Sequence, residues 1–272
     1  MTKSVIVAIA AVLIVGIGGG GYYFGVAKPH KDAVTEFKTA YQPVREANQN
    51  LDVVITKAEK QVKNKQEPLK PEVKTKFLDA LKQAKKARVN VPKMPKNTAD
   101  IKHLAGKADK QVNYSTVMRN LTTAGDNYET SVKQNLLVTN PSEKDVIGRL
   151  SKVPNLSGIQ PATEENDPNE SLNKAGGYTS DLFFISPLVT EPVEGNGSLA
   201  KGTDGGGCIE IYKTKSDANK RNTYLTAFDG VSMLNPGSHQ VIGTVVIRTS
   251  RFLSAEQQQT LTSNIITALT EL

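Results

Sequence analysis

The sequence predicts three successive pieces: an N-terminal transmembrane helix, an all-α helical bundle or coiled-coil stalk, and a small C-terminal α+β domain with a mostly antiparallel sheet. Three observations carry this. Residues Val5 to Val26 contain no charged side chain, and apolar residues from Val34 to Val62 recur at alternating steps of three and four. Beyond Asn140-Pro141 that period gives way to short apolar runs between clusters of Gly, Pro and Asn. The corresponding boundaries are 1–27, 28–140 and 141–272.

The first piece is a question of length. Twenty-two uncharged residues at about 1.5 Å each cover roughly 33 Å, close to the thickness of bilayer hydrocarbon. Tyr22, Tyr23 and Phe24 stand where an aromatic belt would meet headgroups, and Lys28 and Lys31 follow. The expectation is a single-pass protein of the cell membrane, with the lipid bilayer as partner of residues 5–26 and the C-terminal domain outside. Two other readings stay open. A cleaved signal peptide would use Lys3, the apolar core Val5 to Ile17 and the small residues Gly25-Val26-Ala27. The run from Gly16 to Gly21 also satisfies GxGxxG, but the aromatic cluster and Pro29 that follow are not the strand-helix setting of a dinucleotide turn.

In the second piece Val34, Phe37, Tyr41, Val44, Asn48, Leu51, Ile55, Ala58 and Val62 form one seam. Asn48 is its one polar member and reads as a register-setting residue. Pro68 and Pro71 end this helix, since proline lacks an amide hydrogen and clashes with the preceding turn. A second helix is expected over 72–89 and a third over 98–138, giving a three-helix bundle or, if the seam pairs between chains, a homo-oligomer.

The third piece reads as a short helix capped by Ser142, a strand near 154–161, a loop over 163–177 and a strand over 181–189. After the Gly-rich loop 191–207 come a strand over 208–213, a helix capped by Ser216, a strand over 241–249, and a last helix from about Ser254. Helices on a mostly antiparallel sheet define an α+β domain.

Charge separates the halves. Residues 28–115 hold 20 Lys and Arg against 10 Asp and Glu, within a chain of net charge +7. Lys57, Lys60, Lys63, Lys65, Lys82, Lys85, Lys86 and Arg88 form the basic stretches, which could meet an anionic surface or envelope polymer. No aromatics lie between these lysines to stack bases, which argues against nucleic acid. The single cysteine excludes an intramolecular disulfide.

Catalytic and metal constellations are sparse. Cys208 is in phase with Glu210 and Tyr212 and opposite Ile209 and Ile211, as a sheet-face residue would be. Cys208, His239 and Arg248 are the polar set on which an enzyme or its regulatory subunit would depend. No CxxC or HExxH motif occurs. Glu164, Glu165, Asp167 and Asn169 place hard oxygen ligands close together, as calcium prefers, without the spacing of a calcium hand; a solvated loop is the alternative. The sequence assigns no catalytic residue, no cofactor and no resident metal.

The C-terminal half also carries a string of motifs. Residues Ala162 to Asn169 and Leu172 to Thr179 lead into Ile209-Glu210-Ile211-Tyr212, followed by Asp217, Ala218, Arg221, Tyr224 and Leu225, then Gly237-Ser238-His239 and Gly243 to Ser250. Over roughly residues 142–272 this string resembles a group of Gram-positive, membrane-anchored surface proteins, some described as extracellular-matrix-binding-like. The resemblance implies a bacterial surface context and no reaction. The expected function is a non-enzymatic binding module with a protein or envelope polymer as partner.

Overall fold

A computed structural model describes residues 22–108, 112–231 and 235–272 of the chain. No helix among these residues is long and apolar enough to cross a membrane. Of the run Val5 to Val26, residues 5–21 lie outside the described residues. Tyr22, Tyr23, Phe24 and Val26 are exposed and lead through a π-helical turn, Tyr23–Ala27, directly into the polar helix α1, Lys28–Lys63. The expected transmembrane helix is therefore corrected, and with it the single-pass, cell-membrane placement. Uncharged length and an aromatic cluster at its end were the basis, whereas the described end of the run belongs to a helix that carries charge along most of its length. The wide turn has a local cause: Pro29 has no N–H, and its ring would press on the Gly25 carbonyl in a regular α-turn.

The described residues form two compact units. The first comprises the described residues through Asn64 together with Thr75–Asp126. In α1 the buried residues are Ala33, Phe37, Tyr41, Val44, Asn48, Leu51, Ile55 and Ala58, one helical stripe. Helix α2, Pro71–Ala87, contributes Phe77, Leu81 and Ala84, and α3, Thr98–Gly106, contributes Ile101 and Ala105. The seam is filled from within the chain: Phe37, Tyr41 and Val44 cluster with Ile101, Ala105 and Ala108.

The single third helix expected over 98–138 is two. After α3 the described residues 107, 108 and 112–114 are non-helical, and α4 then runs Ser115–Leu137. The Asn113 carboxamide oxygen accepts from the Ser115 amide at 2.8 Å, and the Tyr114 carbonyl accepts the first helical bond from Met118, so a new helix starts here. Tyr114 turns inward and bonds Asn48, whose amide donates to the Val89 carbonyl at 2.9 Å. The Val89 amide donates back to the Tyr114 hydroxyl oxygen at 2.8 Å. Asn48 thus ties an extended segment and a helix start to α1.

The second unit comprises Lys65–Lys74 and Asn127–Leu272. Its sheet has five strands: β1 Ser157–Pro161, β2 Tyr178–Ile185, β3 Gly206–Tyr212, β4 Ser238–Ile242 and β5 Val245–Thr249. They are ordered β1-β2-β3-β5-β4, and every pairing is antiparallel. One face carries Leu182, Phe184, Ile209, Ile211, Val245 and Ile247, packed against Val146 and Leu150 of α5 (Glu143–Leu150) and Leu261, Ile265 and Leu269 of α8 (Ala255–Thr270). Ser142 caps α5, and Ser254 with Gln257 forms a capping box on α8.

The stretch expected as one strand over 241–249 is the β4–β5 hairpin. Gly243 adopts φ +60° at its tip, where a Cβ would come within 2.2 Å of the Val138 carbonyl oxygen. That close approach lets the Thr244 amide donate to Val138 at 2.8 Å. The Gly-rich loop before β3 contains a short helix, α6 Gly197–Lys201, and a 3-10 turn, Gly202–Gly205. Thr214, rather than Ser216, caps α7, Lys215–Thr226.

Candidate functional site

The second face of the sheet holds the chemistry. Register puts Asp181 opposite Glu210 on β2 and β3, and Cys208, Arg248 and His239 opposite one another across β3, β5 and β4. Residues directly opposite point to the same face. Around them pack Tyr178, Tyr212, Val246, Leu172, and Ala218 and Leu225 of α7.

Glu210 is fully buried, and its carboxylate is the hub. Arg221 of α7 approaches it side-on, Nε to Oε2 at 3.0 Å and Nη2 to Oε1 at 2.9 Å. Arg248 donates Nη1 to Oε1 at 3.1 Å, and the Tyr212 hydroxyl donates to Oε2 at 2.9 Å. Although burial works against their charge, Glu210 holds the Arg221 guanidinium above its usual range, and nearby negative groups do the same for Arg248. Tyr212 is pushed up, first by burial and then by the Glu210 charge beside it.

Asp181 has a different environment. It is fully buried, and neither carboxyl oxygen finds a hydrogen-bond partner of ordinary geometry. Burial, reinforced by the charge of Glu210, raises it well above the ordinary carboxylate range. The buried Cys208 thiol is pushed up by burial and by Asp181.

The residues proposed from sequence as an enzymatic set lie in one cross-strand row, yet each bonds elsewhere. His239 places Nδ1 2.8 Å from Asn222 Oδ1 and Nε2 3.1 Å from Asp229 Oδ1, Arg248 bonds Glu210, and Cys208 lies 3.7 Å from the Thr203 hydroxyl. A buried thiol with a raised pKa and no imidazole partner is a poor nucleophile. Asp181, Cys208 and Glu210 bring one ligand atom each within 4.8 Å of one another. Two guanidinium groups already engage Glu210 there, so this donor set suits a cation badly.

The acidic loop is built around Asp167. One of its oxygens accepts from the Ser171 and Leu172 amides at 2.6 and 2.8 Å, and the other from the Asn169 amide at 3.1 Å and from the Tyr178 hydroxyl. Burial raises its pKa, but these donors together outweigh burial and hold the carboxyl below its usual range. Glu164 accepts from Asn173 at 2.8 Å, while Glu165 and Asn169 stay at the loop surface. Of the calcium candidates, Glu164, Glu165 and Asp167 line one recess with Glu170 while Asn169 is not part of it, and the oxygens of Asp167 are taken up by donors of its own loop.

Beside the hub a pocket of about 420 Å³ is lined by Arg221, Arg248 and Arg251, with Asn169, Asp204 and Asn235 around them and Tyr224, Leu225, Phe228 and Pro236 as apolar wall. Arg251 donates to Asp204 at 3.0 Å. The Arg221 guanidinium lies 5.5 Å from the Tyr224 ring centre, and Tyr224 meets Phe228 edge-on at 5.1 Å. Arg248 is 9% exposed, and its Nε–H has no hydrogen-bond partner. No protein-family model, curated protein or solved structure matches this chain.

Sequence reasoning missed Asp181, Arg221, Arg251 and this pocket. A signal was available: Asp181, Glu210 and Arg248 are each the one charged residue of a strand rich in apolar side chains. A charge at an inward position of a strand needs a partner on the neighbouring one.

Among the basic stretches of the helical unit, Lys85 pairs with Glu59 and Arg88 with Asp52. These pairs reduce the net field that an anionic surface would meet.

Proposed function

We propose that this protein is a non-enzymatic binding module whose α+β unit receives an anionic group of its partner in the arginine-lined pocket. The observation that carries the reading is the convergence of Arg221, Arg248 and Arg251 on one open recess, with Arg221 and Arg248 fixed on a buried carboxylate. Guanidinium groups held in this way lose little entropy on meeting an anion. The shielded Cys208, and His239 with both ring nitrogens in contact with other groups, support recognition over turnover.

Thermal melting of the full chain against a panel of organic and inorganic anions at constant ionic strength tests this. One class should raise Tm in a saturable way, by the amount that binding to the native state alone dictates. A response that follows ionic strength and is indifferent to anion identity would reject the reading.

A further inference from the structure

A second recess, of about 540 Å³, lies in the helical unit between α1 and the extended segment that follows α2. Phe37, Lys38, Gln42 and Arg45 line it from α1, and Pro92, Lys93 and Met94 from the facing segment. We propose that this groove binds an acidic peptide segment of a partner protein, seating one apolar side chain between carboxylates that meet Lys38, Arg45 and Lys93.

Charge complementarity is the first ground. The three charged residues of the wall are all cations and all exposed, and no carboxylate among the described residues lines the groove. Among the described residues the ion pairs of the helical unit are Lys85–Glu59 and Arg88–Asp52, and neither involves these three cations. Glu46, which accepts from Gln42 Nε2 at 2.9 Å, is an acid beside the rim and offsets part of the charge. A cationic excess remains for a partner of opposite sign.

The floor is apolar. Phe37 is buried in the cluster it shares with Tyr41, Val44 and Ile101, Pro92 is half-buried, and Met94 stays 43% exposed. The Met94 thioether offers a polarisable, adaptable surface to an incoming apolar group. The space suits one large side chain with its flanking backbone.

The extended wall is held in place before any ligand arrives. The Val89 amide and carbonyl are bonded to Tyr114 and Asn48, Val91 packs on the Phe37 cluster, and Asn97 caps α3. Pro92 and Pro95 fix two backbone torsions between these anchors. A wall so held loses little entropy on binding.

Spacing and shape select a peptide. Lys38 and Arg45 stand seven residues apart on one helix, about 10 Å along its axis. Carboxylates two to four residues apart in an extended peptide, about 7 to 13 Å, match that separation within the reach of both side chains. A flat bilayer meets apolar groups that protrude, whereas the Phe37 ring is recessed and only 1% exposed. That buried ring also presents no face on which a base could stack.

Fluorescence anisotropy of a labelled nine-residue peptide, GSEELDEGS, with the full chain at pH 7 and constant ionic strength is the test. Ser in place of the central Leu, and separately Gln and Asn in place of the acids, should each weaken binding by roughly tenfold. Lys93→Glu alters an exposed position outside every helix and should weaken the acidic peptide by roughly tenfold. Met94→Ser should weaken the Leu peptide and leave the Ser peptide unchanged. Tighter binding of vesicles of equal parts phosphatidylglycerol and phosphatidylcholine, or of a thymidine oligonucleotide, overturns the peptide assignment. Peptide binding that is unchanged by Lys93→Glu belongs to another part of the chain, the arginine-lined pocket included, and overturns it equally. Absence of peptide binding also overturns it, and leaves the anion-binding reading to its own melting test.

Discussion

Asp181 and Glu210 face each other across β2 and β3 as two fully buried carboxyl groups in one cross-strand pair, and only Glu210 has cations bonded to it. Arg221 and Arg248 both reach Glu210, and Asp181 meets the opposite charge only at longer range. The pair divides the roles: Glu210 takes the guanidinium contacts, and Asp181, without a bonded cation, is the carboxyl whose pKa is raised by burial and by the Glu210 charge.

That division sets a pH dependence. The folded-state pKa of Asp181 is raised above its unfolded value near 4. Its contribution to stability is complete below the unfolded pKa and is lost as pH rises toward the folded one, at up to about 1.4 kcal/mol per pH unit for one proton. Asp181→Asn cannot ionise and removes this slope. Urea denaturation at several pH values should show the variant gaining on the natural protein as pH climbs from 5 to 9. Parallel stability profiles would contradict a raised pKa at Asp181.

Asp167 should behave in the opposite sense. Its pKa is depressed, because the Tyr178 hydroxyl and three backbone amides outweigh burial. Its contribution is present above the unfolded pKa and is lost as pH falls through the folded value. Asp167→Asn should cost about 2–3 kcal/mol at pH 7, the scale of hydrogen bonds to a charged group, with the deficit shrinking below pH 4. Thermal melts from pH 3 to 7 would check this. Calcium should leave the melting of either protein unchanged, since the oxygens of Asp167 are already occupied.

What could be read from the sequence depended on whether one element encoded it. The seam of α1 was legible because a period near 3.6 is written along a single helix: Phe37 to Ala58 are buried where the spacing put them, with Ala33 in place of Val34 at the start. The interruption after α3 was not, because Ala108 and Val112 continue an apolar spacing while one helix ends at Gly106 and the Asn113 side chain bonds the first amide of the next. The β4–β5 hairpin was hidden by a turn of two residues, Gly243-Thr244, whose strand partners flank it directly. The membrane span rested on uncharged length and an aromatic cluster at its end, and that described end runs into a charged helix. Most hidden was the pocket, which depends on register: Glu210 meets Asp181 and Cys208 meets Arg248 only through strand pairings that no strand specifies by itself.

Glu210→Gln tests the hub. The replacement keeps the shape but leaves Arg221 and Arg248 without their counter-charge, at a cost of about 3–5 kcal/mol. Adding Arg248→Met should restore part of this, because one of the two stranded cations is then gone. A double-mutant cycle in urea should therefore be strongly non-additive. Additive losses would mean that the two residues contribute independently, against the geometry of the shared carboxylate.

Asn48 separates an intramolecular from an intermolecular role. As a register-setting residue between chains, its replacement by Leu would change the oligomeric state and could raise stability. Within the chain, Asn48 accepts from Tyr114 and donates to Val89, so Asn48→Leu leaves a buried hydroxyl and a carbonyl short of partners. The expected result is a loss of about 1–3 kcal/mol with no change in mass by light scattering. Tyr114→Phe should lose a similar amount, and the double variant little more than either alone, since both singles break the same hydrogen bond. A change in mass with stability preserved would instead assign Asn48 to a contact between copies of the chain.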